Sequence, residues 1–204
     1  MSELLFKIVH RRMLVSRIFA VLVVLLAIFT THSFERDGII DTVIEMSGLF
    51  LLTACSSGRL WSLLYISGYK TCSLITEGPY SITRNPLYLF SLIGAIGIGL
   101  ASKNLLVLAS LVIFYLLYYP LTIITEEEKL KKKLGQPYID YMKRTPRFLP
   151  KLSLYNSSAQ YRINTKIFLK SLAYGMWFIW VFIALHFIEM LQQNGYIPVI
   201  LKVP

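Results

Sequence analysis

Cysteine is nearly missing from this chain. Cys55 and Cys72 are the only two, and their spacing fits neither a metal-ligating nor a redox pair, so a disulfide scaffold is excluded. Charge is thin as well, at 16% of residues, while 55% are hydrophobic and the mean hydropathy is +0.59. Those values exclude a water-soluble domain of this length. No stretch alternates apolar and polar residues with a period of two, so strands are not expected. No internal repeat is present, which argues against a transporter built from duplicated halves. No small-residue cleavage site follows the first apolar block, where the chain runs on as FTTHSFERDG; that block reads as a retained helix, not a signal peptide.

What the chain does contain is long apolar runs, at 13–30, 39–56, 87–102, 105–125 and about 167–191. A bilayer core takes about 20 residues of helix. Four runs come near that length, and the run at 87–102 spans only about 24 Å at 1.5 Å per residue. The expected fold is all-α, a polytopic membrane helix bundle with about five transmembrane helices. The second helix stays helix-compatible past Ser56 toward Tyr65. Helices three and four form a tight hairpin, because only SKN separates their apolar runs.

Basic residues outnumber acidic ones by 21 to 11, and their placement carries the information. With the N-terminus in the cytoplasm, eighteen Lys and Arg fall on the cytoplasmic side, and only Arg36, Lys103 and Lys202 fall outside. That is a positive-inside bias. It makes nucleic-acid binding an unnecessary explanation of the basic pI, and anionic lipid headgroups at the inner leaflet the expected partner. An integral, multi-pass protein with a cytoplasmic N-terminus follows, in the inner membrane if the source is bacterial.

Two polar features break the apolar pattern. The turn GPYSITRNPLY, residues 78–88, puts Arg84 and Asn85 before Pro86, a residue suited to the first turn of a helix. Glu126, Glu127 and Glu128 then end the fourth run, at the C-terminal part of a helix whose dipole disfavours them. A solvated helix end, with Glu128 paired to Lys132, is the plain explanation of that cluster. Ionisable groups at membrane depth point instead to a site. The hairpin returns the chain to the side it left, so Arg84 and Glu127 are expected on one cytoplasmic side, close enough to share a small ligand. Asp41 and Glu45 share a helix face at i,i+4 and read as a structural pairing. His186 reads as a packing hydrogen-bonder, since no second His or Cys neighbours it, and no metal set is expected.

Taken in order, Gly78 and Tyr80, then Arg84, Pro86 and Tyr88, then Glu126 to Glu128, then Gly135, Tyr138, Tyr141 and Pro150 resemble the isoprenylcysteine carboxyl methyltransferases. More loosely they resemble the integral-membrane phospholipid methyltransferases. The match covers about residues 78–150. The resemblance implies a methyltransferase-like cofactor core at 78–150; the apolar runs place it in a single membrane domain over 1–204, with a second helix and interfacial segment at 38–77 and, beyond the family's usual end, an extra C-terminal transmembrane helix at 166–191. It also implies a cytoplasm-facing pocket for S-adenosyl-L-methionine and a lipidic or lipid-modified substrate entering from the bilayer. The cofactor would be bound by Gly78, Tyr80, Arg84, Asn85, Pro86, Tyr88, Glu127 and Glu128, with Arg84, Glu127, Arg144 and Arg147 as catalytic candidates. This sequence departs from the family at Asn85, where the family has His. Asn can exchange hydrogen bonds but cannot carry charge or shuttle a proton.

The chemistry expected is carboxyl O-methylation of a prenylcysteine-like substrate, because a carboxylate is already ionised at pH 7 and needs no base. Phospholipid N-methylation, an NADPH-dependent membrane reductase and a non-catalytic membrane scaffold are the alternatives. The Glu127→Gln exchange is expected to weaken cofactor binding at little cost in stability.

Overall fold

A computed structural model describes residues 12–32, 38–67, 73–159, 165, 168–169, 172 and 175–203. It is dominated by helices: α1 (Arg12–Phe29), α2 (Ile39–Ile66), a short α3 (Pro79–Ile82), α4 (Pro86–Ala101), α5 (Leu105–Leu134), α6 (Gln136–Arg144) and α7 (Trp177–Gln193). A 3-10 turn covers Leu152–Leu154. The second apolar run does continue past Ser56, to Ile66. By length and composition α2 and α5 could each cross a bilayer, whereas the apolar stretches of α1, α4 and α7 are shorter. One departure from the all-α expectation is present. Thr30–His32 (β1) pairs in parallel with Leu201–Val203 (β2), in the register Thr30 to Leu201. Three residues are too few to show the period-two pattern by which strands are read.

The chain divides into two compact units. The first is built from Met1–Leu52, Ala95–Thr122 and Ile179–Pro204. Its buried apolar centre is Val23, Ala27 and Val107, with Phe19, Leu26, Leu111 and Leu185 packed around it. Phe19 stacks on Phe114 with ring centroids 3.8 Å apart. Helix ends in this unit are closed by side chains. Asn104 is the N-cap of α5, its Oδ1 accepting from the backbone N–H of Leu106 (3.0 Å) and Val107 (3.3 Å). Gln192 donates through Nε2 to the carbonyls of Ala27 (3.2 Å) and Ile28 (2.7 Å), which satisfies acceptors that the last turn of α1 leaves open. The expected α4–α5 hairpin forms with Ser102, Lys103 and Asn104 at its tip, and Lys103 takes a positive φ of 51° there.

The second unit is built from Thr53–Gly94 and Ile123–Phe178, and it holds most of the polar turn and tail residues singled out above. In both units glycine lets helices approach closely, as small residues do between membrane helices. A Cβ at Gly58 would fall within the Phe90 ring. At Gly48 it would stand 2.5 Å from the backbone nitrogen of Ala101, an atom that cannot rotate aside. Gly48→Leu is therefore expected to destabilise the protein by about 1–3 kcal/mol through overpacking. Thermal unfolding in detergent checks this, and a midpoint equal to wild type would refute the close packing of α2 on α4.

Candidate functional site

Residues 78–85 form a compact turn because their polar groups are consumed locally and by the tail. Gly78 has a φ of +57°, favourable only to glycine, and a Cβ there would overlap the Tyr65 ring. Its N–H donates to Asn156 O at 2.8 Å, and Ser81 Oγ returns a bond to Gly78 O at 2.7 Å. Thr83 is almost fully buried, and its hydroxyl donates to the Phe148 carbonyl at 3.1 Å. Two backbone bonds run alongside, from Arg84 N to Pro146 O (2.9 Å) and from Lys151 N to Ile82 O (3.0 Å). Pro86, fully buried, then opens α4, where its missing N–H costs nothing.

The centre of this unit is the Glu127 carboxylate on α5, with a side chain only 4% exposed. Asn85 Nδ2 donates to its Oε1 at 2.9 Å and also to the Arg147 carbonyl at 3.0 Å. Arg147 Nε donates to Oε2 at 3.0 Å. Arg84 Nε lies 3.5 Å from Oε1, an ion pair without hydrogen-bond geometry. Arg84 is itself 8% exposed in its side chain, and its Nε and Nη1 are buried with no hydrogen-bond acceptor. Buried donors without acceptors are rare, and here they mark unspent capacity for an anionic group.

Helix α6 supports this arrangement. Gly135, with a φ of +63°, precedes it, and Tyr138 and Tyr141 are buried on its inner side. Tyr141 donates its hydroxyl to the Tyr80 carbonyl at 2.6 Å, tying α6 to α3. Burial first, and the Glu127 charge second, push the Tyr138 hydroxyl up to about 12. Burial raises Tyr141 also. Both stay protonated at neutral pH, and Tyr141 serves as a donor.

Of the residues proposed from sequence, Arg84, Asn85, Glu127 and Arg147 come together in direct contact. Tyr80 is buried beside them through its link to Tyr141, and Gly78 and Pro86 shape the turn. Tyr88 is half-buried in the first turn of α4, its N–H bonded to Asn85 O at 3.1 Å. Glu128 is exposed, turned away from Glu127 by one helical position. Arg144 is also exposed, its Nε directed to the Asp140 carbonyl at 3.4 Å. Neither joins the cluster. Sequence reading passed over Thr83, Pro146 and Asn156, whose contributions are backbone-directed bonds across 62 to 78 positions of chain. No local pattern announces such bonds.

A buried carboxylate is thus held between an Arg-Asn-Pro turn and a basic tail, in a chain with two helices long and apolar enough to cross a membrane. The chain belongs to the phospholipid methyltransferase family, whose profile matches residues 15–137. It is 35% identical over 182 residues to the nickel-cobalt-cadmium resistance protein NccN of Alcaligenes xylosoxydans xylosoxydans, covering 89% of this chain and 85% of the relative. It is 32% identical over 172 residues to the cobalt-zinc-cadmium resistance protein CzcN of Cupriavidus metallidurans, covering 84% and 79%. No solved structure matches the chain. Family membership and the two long apolar helices together support membrane association.

The geometry corrects the expectation for Glu127→Gln. Its carboxylate neutralises Arg84 in a nearly dry site, so removing the charge leaves a buried guanidinium uncompensated, at a cost of about 3–5 kcal/mol. A clear fall in the thermal midpoint of the Gln variant in detergent is expected. A midpoint equal to wild type would show that Glu127 does not hold the turn.

Proposed function

We propose that the chain is an S-adenosyl-L-methionine-dependent methyltransferase acting on a lipidic or lipid-modified substrate at the cytoplasmic membrane face. The observation that carries this reading is the buried guanidinium of Arg84, held by Glu127 yet with donors left over. The residues present fit the cofactor. Arg84 would hold its carboxylate by charge-assisted hydrogen bonds, and the exposed edge of the Tyr88 turn offers an aromatic wall. Glu127 fits its ammonium less well, since both carboxylate oxygens already accept bonds within the turn and tail. The bound cofactor supplies an electrophilic methyl group on a sulfonium.

What the chain's own residues do is bind and orient. Asn85 fixes the turn through Glu127 and the Arg147 carbonyl and moves no proton. Because Glu127 is occupied, it is a poor general base, and that favours a nucleophile already ionised at neutral pH. A prenylcysteine-like carboxylate meets that condition, whereas an amine headgroup would need its proton removed. Arg147 is half exposed and spends Nε on Glu127, so the rest of its guanidinium is available to orient an anionic substrate. Five membrane crossings with a cytoplasmic N-terminus, as the positive-inside bias suggests, belong to the same reading, as does an inner-membrane location in a bacterium.

Titration calorimetry of the purified protein in detergent tests this. S-adenosylhomocysteine should bind, and NADPH should not. Arg84→Lys keeps the charge but loses the planar fork, so it should weaken that binding roughly 10- to 150-fold, corresponding to about 1.5–3 kcal/mol. Binding of NADPH alone would favour the reductase, and unchanged S-adenosylhomocysteine affinity in Arg84→Lys would remove Arg84 from the site.

The names of the two relatives supply a setting. We infer that the methyl transfer contributes to tolerance of divalent metals in the cell. A deletion strain should grow less well than its parent in cobalt or cadmium, with wild type restoring growth and Arg84→Lys restoring less. Equal growth of parent and deletion strain would sink this setting without touching the enzymatic reading.

A further inference from the structure

A second group of ionisable side chains lies entirely within the first unit and is used by nothing described so far. Helix α7 carries only two such residues, His186 and Glu189, three positions apart and therefore on one face. Both meet Glu45 of α2. His186 Nδ1 stands 3.0 Å from Glu45 Oε1, and one donor atom from each of Glu45, His186 and Glu189 lies within 4.8 Å of the others. Glu45 divides its oxygens, because Oε2 is 2.9 Å from Lys103 Nζ. Lys103 also reaches Asp41 Oδ2 at 2.9 Å and Glu189 Oε1 at 3.0 Å.

A plain ion-pair cluster explains Lys103 and its carboxylates. Burial would lower the lysine's proton affinity, but its three carboxylate partners overturn this and hold the ammonium charged above the ordinary lysine range. The cluster has no need of a histidine. His186 adds a nitrogen ligand beside Glu45 Oε1, the oxygen that Lys103 leaves free, on a side chain 64% exposed and so open to entry. Ionisable groups on helices this apolar either pair with one another or mark ion pathways, and an exposed imidazole added to an already paired cluster points to the second.

We propose that Glu45, His186 and Glu189 form a binding site for a divalent transition-metal ion, with Lys103 and Asp41 holding the carboxylates in place. The 3.0 Å between His186 Nδ1 and Glu45 Oε1 suits two ligands that each stand about 2.0–2.2 Å from one ion. One imidazole and two carboxylates select borderline ions such as cobalt, zinc or nickel. All-oxygen cages suit magnesium and calcium, and thiolates suit copper(I). Three protein ligands leave positions for water, so the site is an exchangeable one, unlike a closed four-ligand structural centre. The proposal is independent of the methyl-transfer reading and of its cofactor.

Cobalt(II) alone is the probe, added to the untagged protein in detergent and followed by visible absorption and calorimetry. One saturable equivalent is expected, displaced by zinc. His186→Ala alters an exposed side chain and should keep the wild-type thermal midpoint while weakening cobalt binding at least tenfold. Glu189→Gln should weaken it similarly, and Arg84→Lys should bind cobalt as wild type does. Absence of saturable cobalt uptake by the wild-type protein, or affinity unchanged in His186→Ala, would overturn the proposal.

Discussion

The charge of Glu127 is the constraint on which the second unit depends. A carboxylate with 4% exposure is tolerable only if its lone pairs are filled, and the donors that fill them come from two distant parts of the chain. Asn85 arrives from the turn before α4, with the Arg84 charge beside it, and Arg147 arrives from the tail after α6. The same bonds that neutralise Glu127 therefore fix the turn against the tail. Thr83, Pro146 and Lys151 extend the seam by backbone-directed bonds. Removing one member of such a network leaves the others buried without partners, so its energetics are cooperative, not a sum of pairs.

The seam also gives the motif residues a physical account. Gly78 is required by its positive φ and by the Tyr65 ring beside it. Tyr141 is required because its hydroxyl satisfies the carbonyl of Tyr80. Asn85 stands at a place where one side-chain amide serves two acceptors, Glu127 and Arg147 O. An amide does this without titrating, so the seam holds its geometry across the range in which an imidazole would change charge.

Much of this was legible in the amino-acid sequence. The five apolar helices, the extension of α2 beyond Ser56, and the three-residue hairpin tip follow from run length and composition. The meeting of Arg84 with Glu127 follows from the hairpin returning the chain. What stayed hidden is of another kind. Glu127 and Glu128 are adjacent in sequence, yet one is buried and the other exposed, because a helix turns by about 100° per residue. Lys103 was read as one of a few outer cations, and Asp41 with Glu45 as a pair. Their assembly with Glu189 and His186 joins three parts of the chain, and no periodicity reports it. The β1–β2 pairing is too short to leave a pattern.

The three-part composition of the first unit bears on how the protein is made. Its segments come from the beginning, the middle and the end of the chain, and the carbonyls that finish α1 wait for Gln192. The second unit, by contrast, is complete once residue 178 has been synthesised. During vectorial synthesis the Glu127 seam can therefore close while α1 still lacks its final partner, and contacts of such wide sequence separation form late. In that interval the nascent chain carries a finished seam while one helix end is still open, so quality control that senses α1 would be reading the arrival of Gln192.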